Sequence, residues 1–398
     1  MRERYFRTGC DLLDMVTGGD KGVYGFPEGR FVNIVGDKSS GKTFLSNEII
    51  ASAYYTYPKG KFKWVYDDCE RGYSFDTQSM YGFDIIPSDP EKIVCSSTVE
   101  EAFCNIANFA DSLEDDQFGI YVLDSLDGLT SEEQNSQADD RLKAFNNGKE
   151  YDKGSYGMGK PKYLSREFFP QLCSKIQDKH ILVIIISQVR DNVDMFSFEK
   201  FKRSGGKALD FYAHMVLWLA TAKKITKKER TVGVVVKAKV TKGKVPRPFR
   251  ECFFSFIYDY GLDNTGTSID YLYDLRTATG ELSSSAKSIR WGNDAEKPTV
   301  PVLRHWLEEE GLTDRFEGKK PTVDNVIEFV KTNPDYRKKF EERFGMVMTR
   351  EELINYIEDS GLQEELRRKV EDKWEESEDA IRSSRRKKYA NQPVSTDT

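Results

Sequence analysis

Residues 31–43 read FVNIVGDKSSGKT. Phe31 to Val35 are rich in aromatic and β-branched side chains, the composition of a strand. Gly36, Asp37, Lys38, Ser39, Ser40, Gly41, Lys42 and Thr43 then satisfy the phosphate-loop pattern GxxxxGK[ST], and FLSNEIIASAYY from Phe44 onward reads as a helix. The pattern therefore stands between a strand and a helix, where it has a mechanism. The glycines let the loop curl until successive backbone N–H groups and the helix N-terminus face one point, which suits a phosphate chain. In that arrangement Lys42 reaches the β- and γ-phosphate oxygens, and the Thr43 hydroxyl is a ligand for Mg²⁺.

Working outward, Phe31–Gly36 is the first of four apolar runs; the others are Phe62–Asp68, Gly119–Asp124 and Ile181–Ser187. Near-continuous runs of this kind suit strands covered on both faces, and the mixed stretches between them suit helices. The fold class expected is α/β, a mostly parallel twisted sheet built around the phosphate loop. Met215–Leu219, the alternating Thr231–Val240 and Cys252–Ile257 add strands that end the sheet in an antiparallel portion. Thr130–Pro161 is polar and glycine-bearing, and reads as an excursion containing a helix and a mobile loop. From about Pro298 the character changes to charged helical periodicity, and Thr349 and Glu352 have capping-box spacing. The expected organisation is a short lead-in over 1–29, a core over 30–275, a small helical domain over 298–390 and a disordered tail over 391–398. The stretch from Leu362 is expected to be one long charged helix running to Arg385-Arg386-Lys387-Lys388.

With 398 residues, 38% hydrophobic and 32% charged, the chain is long enough for two or three domains and for a buried core. The longest aliphatic run, Ile181 to Ile186, is far short of a membrane span, and no apolar segment follows the opening charges. Six scattered cysteines with no CxxC pair fit reduced thiols in a cytoplasm, and three histidines make a histidine metal centre a poor reading. The net charge of −6 argues against a protein that coats nucleic acid with its whole surface. Between Lys200 and Arg250, however, fifteen lysines and arginines face only Asp210 and Glu229, a local concentration suited to phosphate.

A phosphate loop needs a second acidic group for magnesium, and Asp124 ends the run GIYVLD as required. Hydrolysis also needs a group that orients water. Glu70 lies just past the second strand, with Asp67 and Asp68 as rivals on spacing. Gln188 closes the strongest apolar strand, where an amide could sense the γ-phosphate and pass its position to the loop that follows. That loop, RDNVDMFSFEKFKRSGG over 190–206, interleaves Phe196, Phe198 and Phe201 with Lys200, Lys202 and Arg203, a composition suited to single strands that offer phosphates and π-faces.

Over roughly Thr8 to Gly261 the chain resembles the bacterial and phage RecA-type recombinases. The likeness rests on TGCDLLDMVTGG, GDKSSGKT, DDCE, VLDSLDGL, IIISQVR, SGGKALDFYA and KVTKGKVPRPF. The phosphate loop is shared with many ATPases; the spacing from SQVR to SGGKALDFYA and the KxK-x-PxPF segment are more specific. The resemblance implies that Glu70 is the water-orienting carboxylate, that Lys42, Thr43 and Asp124 keep the roles derived above, and that Gln188 couples γ-phosphate to DNA binding. It implies that Lys242 and Lys244 reach the ATP of a neighbouring subunit as an arginine finger does. It also implies two DNA-binding loops. One is around Tyr151 to Gly159, with Met158 and Gly159 at the bases. The other is Arg190 to Gly206, with Arg190 on phosphate, Val193 between bases, and Gly205 and Gly206 as hinge.

The same resemblance implies an ATP- and Mg²⁺-dependent, DNA-dependent ATPase that assembles on single-stranded DNA, engages duplex DNA and promotes homologous pairing and strand exchange in recombination and repair. The expected location is the cytoplasm of a bacterial cell, with no membrane. The expected assembly is a homo-oligomeric filament; a ring is the alternative because only Met1 to Arg7 precede the matching segment, where family members carry a helix and strand that dock on the next subunit. A hexameric helicase-like motor and a weakly hydrolysing recombination mediator are the competing functions. Asp210 stands where family members often have lysine, and Thr77 where an aromatic stacks on adenine, with Tyr73 or Phe75 as substitutes. These two departures favour the mediator among the competing functions, while the short, arm-lacking form and the long acidic-basic tail point to a phage or other mobile-element version of the family.

Overall fold

The computed structural model describes residues 4–18, 22–148, 159–191, 201–203, 206–245, 247–287, 289–292, 299–316 and 322–385. Its centre is a sheet of β1 (Arg30–Gly36), β2 (Phe62–Asp68), β3 (Phe118–Asp124), β4 (Ile181–Asp191), β5 (Phe201–Arg203), β6 (Met215–Lys227), β7 (Arg230–Gly243), β8 (Glu251–Ile257) and β9 (Gly261–Leu262). The order across it is β9-β8-β7-β6-β1-β4-β3-β2, with β5 paired to the end of β4. The pairs from β6 through β1, β4 and β3 to β2 are parallel; β6–β7, β7–β8, β8–β9 and β4–β5 are antiparallel. This is the expected α/β architecture with its antiparallel end.

Each central strand reads as an unbroken apolar run because its two faces feed different cores. Val32 and Ile34 of β1, with Leu182, Ile184 and Ile186 of β4, pack into one cluster. Phe31 and Val35, with Ile181, Val183 and Ile185, pack into the cluster on the other face. The period of two that alternates polar and apolar residues in a half-exposed strand here alternates two buried faces. The chain leaves β1 for β2 at the far edge, returns through β3 and β4, then crosses β1 to β6. The direction of winding thus reverses at β1, the place where an open α/β sheet leaves a crevice at the carboxyl ends of its strands.

Helix α1 (Asp11–Gly18) precedes the sheet and is almost wholly buried, including Asp14. The carboxylate of Asp14 accepts from the backbone N–H of Thr8 at 2.7 Å and from Arg7 Nη1 at 3.3 Å. Burial nevertheless dominates, and raises its pKa from 3.8 to about 6. An acid of this kind holds its proton longer in the native state, so its contribution to stability falls as pH rises from 3.8 to about 6 and is constant above that. Asp14→Asn should therefore gain on the wild type by about 2 kcal/mol between pH 4 and pH 7. The check is paired urea unfolding at both pH values, and a pH-independent difference would show that burial does not govern this carboxyl.

Toward the C-terminus, the helices Val300–Glu309, Val323–Thr332 and Pro334–Phe344 enclose a core of Leu303, Trp306, Val326, Phe340 and Phe344. The capping box of Thr349 and Glu352 is present at the start of helix Arg350–Asp359. Arg350 is buried and bonded to Asp270 (2.6 Å) and Asp263 (3.2 Å), both from the segment after β9. The last helix is Gln363–Ala380 and stops short of the basic run at 385–388. Its stripe of Leu366, Val370 and Trp374 packs against residues of α1 and helix Asn264–Leu272, among them Met15 and Ile269. The sequence suggested a charged rod; the observed helix is held by that stripe, and it ends shortly after the stripe does. Glu378 on its final turn accepts from Arg250 Nε at 2.9 Å and Nη2 at 2.7 Å, and also pairs with Arg247. The six cysteines are free thiols. Among the described residues no helix is long and apolar enough to cross a membrane.

Candidate active site

Register brings the carboxyl ends of four strands together. Gly36 pairs with Gln188 across β1 and β4, and Asp68 pairs with Asp124 across β2 and β3. The phosphate loop leaves β1 at this point and enters α2 (Lys42–Thr56). Gly41 is the N-cap of that helix, has φ of 90°, and makes no side-chain cap bond, so the first N–H groups are left to face a ligand. A Cβ on Gly41 would lie 2.8 Å from the Phe256 ring, and one on Gly36 would lie 2.7 Å from the Leu219 carbonyl oxygen. Both positions need glycine. Ser40 Oγ is buried without a hydrogen-bond partner, and Lys42 Nζ donates to the carbonyls of Gly36 (2.9 Å) and Asp37 (2.8 Å). Burial lowers the pKa of Lys42, opposed by the nearby carboxylates of Asp124 and Glu70. Uncapped N–H groups, an orphan hydroxyl and an ammonium around a glycine-lined turn fit a polyphosphate.

Asp124 ends β3 and accepts at one oxygen, Oδ2, from Thr43 Oγ1 (2.9 Å) and from Tyr66 OH (2.6 Å). Burial pushes its pKa up, while those two hydroxyls pull it down. A hydroxyl and a carboxylate are hard oxygen donors that fit magnesium better than a softer metal. Among the described residues no cluster of three or more His, Cys, Asp or Glu could hold a metal ion.

Glu70 follows β2 by two residues. Its Oε1 accepts from Gln188 Nε2 at 2.7 Å and from Ser125 Oγ. The backbone N–H of Gln188 donates to Asp127 Oδ2 at 2.8 Å, which closes a network of Glu70, Ser125, Asp127 and Gln188. Asp67, one of the rivals on spacing, is fully buried and accepts from Ser96 N–H (2.7 Å), Ser96 Oγ (2.6 Å) and Tyr121 OH (2.7 Å). It fastens neighbouring segments beneath the sheet edge. Asp68 accepts from the Tyr73 N–H at 2.9 Å and shapes the turn.

Thr77 begins a short helix, is buried, and its hydroxyl accepts from Ile85 N–H at 3.0 Å, so it presents no face to a base. The Tyr73 hydroxyl is spent on Asn47 (3.1 Å). Phe75 instead meets Phe44 edge-on with centroids 4.9 Å apart, and Phe44 also stacks near the half-exposed Tyr258 at 6.2 Å. Phe44 is adjacent to Thr43, which places this aromatic group beside the phosphate loop.

A model of the RecA N-terminal domain matches residues 147–263. Over longer stretches the chain is similar to Protein RecA of Solidesulfovibrio magneticus, with 26% identity over 341 residues, 85% of this chain and 86% of that protein. It is similarly 27% identical over 274 residues to Protein RecA of Cereibacter sphaeroides, covering 69% of this chain and 71% of that protein. The chain is similar to RecA-type recombinases over most of its length. The region matched by the RecA model contains Gln188, the whole basic run, and both segments singled out for DNA.

Within the region similar to RecA, Gln188 stands one residue before a hairpin in which Val189 pairs with Arg203 and Arg190 with Lys202. Gly159 opens the short helix Gly159–Tyr163, and Gly206 opens helix Gly206–Tyr212. Met158, Val193, Lys200 and Gly205 lie outside the described residues. Lys242 is not brought to its own phosphate loop. It pairs in register with Val216, toward the amino end of the parallel strands, and its Nζ donates to the carbonyls of Phe211 (2.9 Å) and Ala213 (2.7 Å). Lys244 is exposed beside it. Sequence pattern alone does not single out Tyr66, Ser125 and Asp127. The last two lie inside VLDSLDGL, the segment that contains Asp124. Tyr66 carries no local signal, because its role depends on a strand 58 residues away.

Proposed function

We propose that this protein is an ATP-dependent recombinase that assembles on single-stranded DNA and promotes homologous pairing and strand exchange. The observation that carries this reading is the Glu70–Gln188 hydrogen bond of 2.7 Å. It joins the carboxylate beside the phosphate loop to the strand whose continuation is the basic hairpin. The similarity to RecA proteins supports the same reading.

In this mechanism the loop N–H groups and Lys42 bind the ATP phosphates, and the π-surface of Phe44, Phe75 and Tyr258 flanks the base. Mg²⁺ held near Thr43 and Asp124 would neutralise phosphate charge. Glu70 orients the attacking water, and Ser125 and Gln188 hold Glu70 in place. A γ-phosphate competes for the Gln188 amide, and a change at Gln188 moves Val189 and the hairpin register directly. ATP binding thereby favours the arrangement that grips DNA, through Arg190, Lys202 and Arg203 together with Met158, Gly159, Val193, Lys200, Gly205 and Gly206. Hydrolysis releases it. Lys242 and Lys244 serve the nucleotide of the neighbouring subunit, which requires Lys242 to exchange helix carbonyls for phosphate oxygens. Turnover is therefore slow in an isolated subunit.

The test is electron microscopy of the protein on single-stranded DNA with a slowly hydrolysed ATP analogue, against a nucleotide-free control. Continuous helical filaments that form only with nucleotide are expected. Discrete rings would replace this reading with a motor, and scattered single particles with a mediator.

A further inference from the structure

Two tyrosines on adjacent strands of the sheet give their hydroxyls to carboxylates, and they differ in what the carboxylate does. Tyr121 of β3 donates to Asp67 at 2.7 Å, within the buried fastening described above. Tyr66 of β2 donates to Asp124 at 2.6 Å, the acid beside Thr43. Tyr66 pairs in register with Val122, so its side chain shares a face with Val122 and Asp124, and its hydroxyl reaches along the strand direction to the carboxyl end. The side chain is 3% exposed and its ring meets Tyr73 with centroids 4.8 Å apart, which leaves the hydroxyl little freedom.

We propose that Tyr66 is a positioning residue for the magnesium carboxylate: it holds Asp124 in one rotamer by occupying Oδ2 together with Thr43. This deepens the function proposed above and rests on it. A carboxylate that must orient toward a metal beside a polyphosphate is held more firmly by two donors than by one. Hydrogen bonds to a charged acceptor in a dry site are among the stronger ones. Partners that orient a metal-binding carboxylate commonly change metal affinity by about 10- to 100-fold when removed. The bond here comes from a neighbouring strand, so it is as rigid as the sheet. Removing the oxygen from Tyr66 leaves the ring packing intact and withdraws one of the two donors.

The experiment measures Mn²⁺ binding by electron paramagnetic resonance in the presence of ADP, for the wild type, Tyr66→Phe and Tyr121→Phe. Tyr66→Phe is expected to bind Mn²⁺ about 10-fold more weakly, with metal-free ADP affinity unchanged, and Tyr121→Phe is expected to match the wild type. Equal Mn²⁺ affinity in all three overturns the positioning role. Equal weakening in both variants overturns it too, because it assigns the loss to any buried tyrosine hydroxyl of this sheet. Absence of ADP-dependent Mn²⁺ binding in the wild type removes the nucleotide reading itself, and the role of Tyr66 with it.

Discussion

Lys42→Ala is expected to abolish nucleotide-dependent tight binding to single-stranded DNA. Lys42 is the cation of the phosphate loop, and its Nζ donates to two carbonyls of that loop, those of Gly36 and Asp37. Exchanging those contacts for phosphate oxygens yields charge-assisted bonds in a partly desolvated site, so their loss should weaken MgATP by about 2 kcal/mol or more, at least about 30-fold. The fold has little at stake, since the main core contacts of α2 come from Leu45, Ile49 and Ile50. Fluorescent-nucleotide titration and DNA retention, each with a thermal melt alongside, separate the two effects. A variant that still binds DNA more tightly with ATP than without would refute the coupling.

Glu70→Gln is expected to keep nucleotide binding within about threefold while lowering the DNA-stimulated ATPase rate by about 10²- to 10⁴-fold, the range for losing a positioned general base. The amide has the same size and can still meet Ser125 and Gln188, so the network around it should persist. What disappears is the charge proposed to orient water. Steady-state turnover on single-stranded DNA, with ADP titration as the control, reads both quantities. A rate within about tenfold of the wild type would move the water-orienting role to another group.

The strands were legible because their signal is local. A run such as ILVIIIS over 181–187 contains its own evidence, since both faces of a covered strand must be apolar whatever partner lies beside it. Its extension to Asp191 was not legible, because Val189 to Asp191 are strand by pairing with Phe201 to Arg203 and their own apolar content does not announce it. Helix Pro334–Phe344 falls in the stretch expected to be helical, but its burial is not legible. Its charged composition hides the two residues, Phe340 and Phe344, that it buries. Thr349 and Glu352 were readable at once, since a capping box lies within three residues and needs no tertiary partner.

The site divides along the same line. By itself the sequence determined the phosphate-loop pattern, because Gly36, Gly41, Lys42 and Thr43 lie within one turn of backbone and the start of the helix that follows. It also placed Asp124, Glu70 and Gln188 at the ends of strands, which in a parallel sheet share one edge. Only the tertiary structure decided which of these groups touch. The choice of Glu70 over Asp67 on geometry depends on Ser96 and Tyr121 claiming Asp67, the bond from Glu70 to Gln188 spans 118 residues, and the hydroxyl on Asp124 comes from another strand. The last helix likewise became part of the core only when its Leu366, Val370 and Trp374 stripe met α1. Short-range patterns specify backbone conformation because their partners lie within a turn or a strand. Which side chains meet across the sheet depends on register and crossover, and these are set by the burial of the whole chain at once.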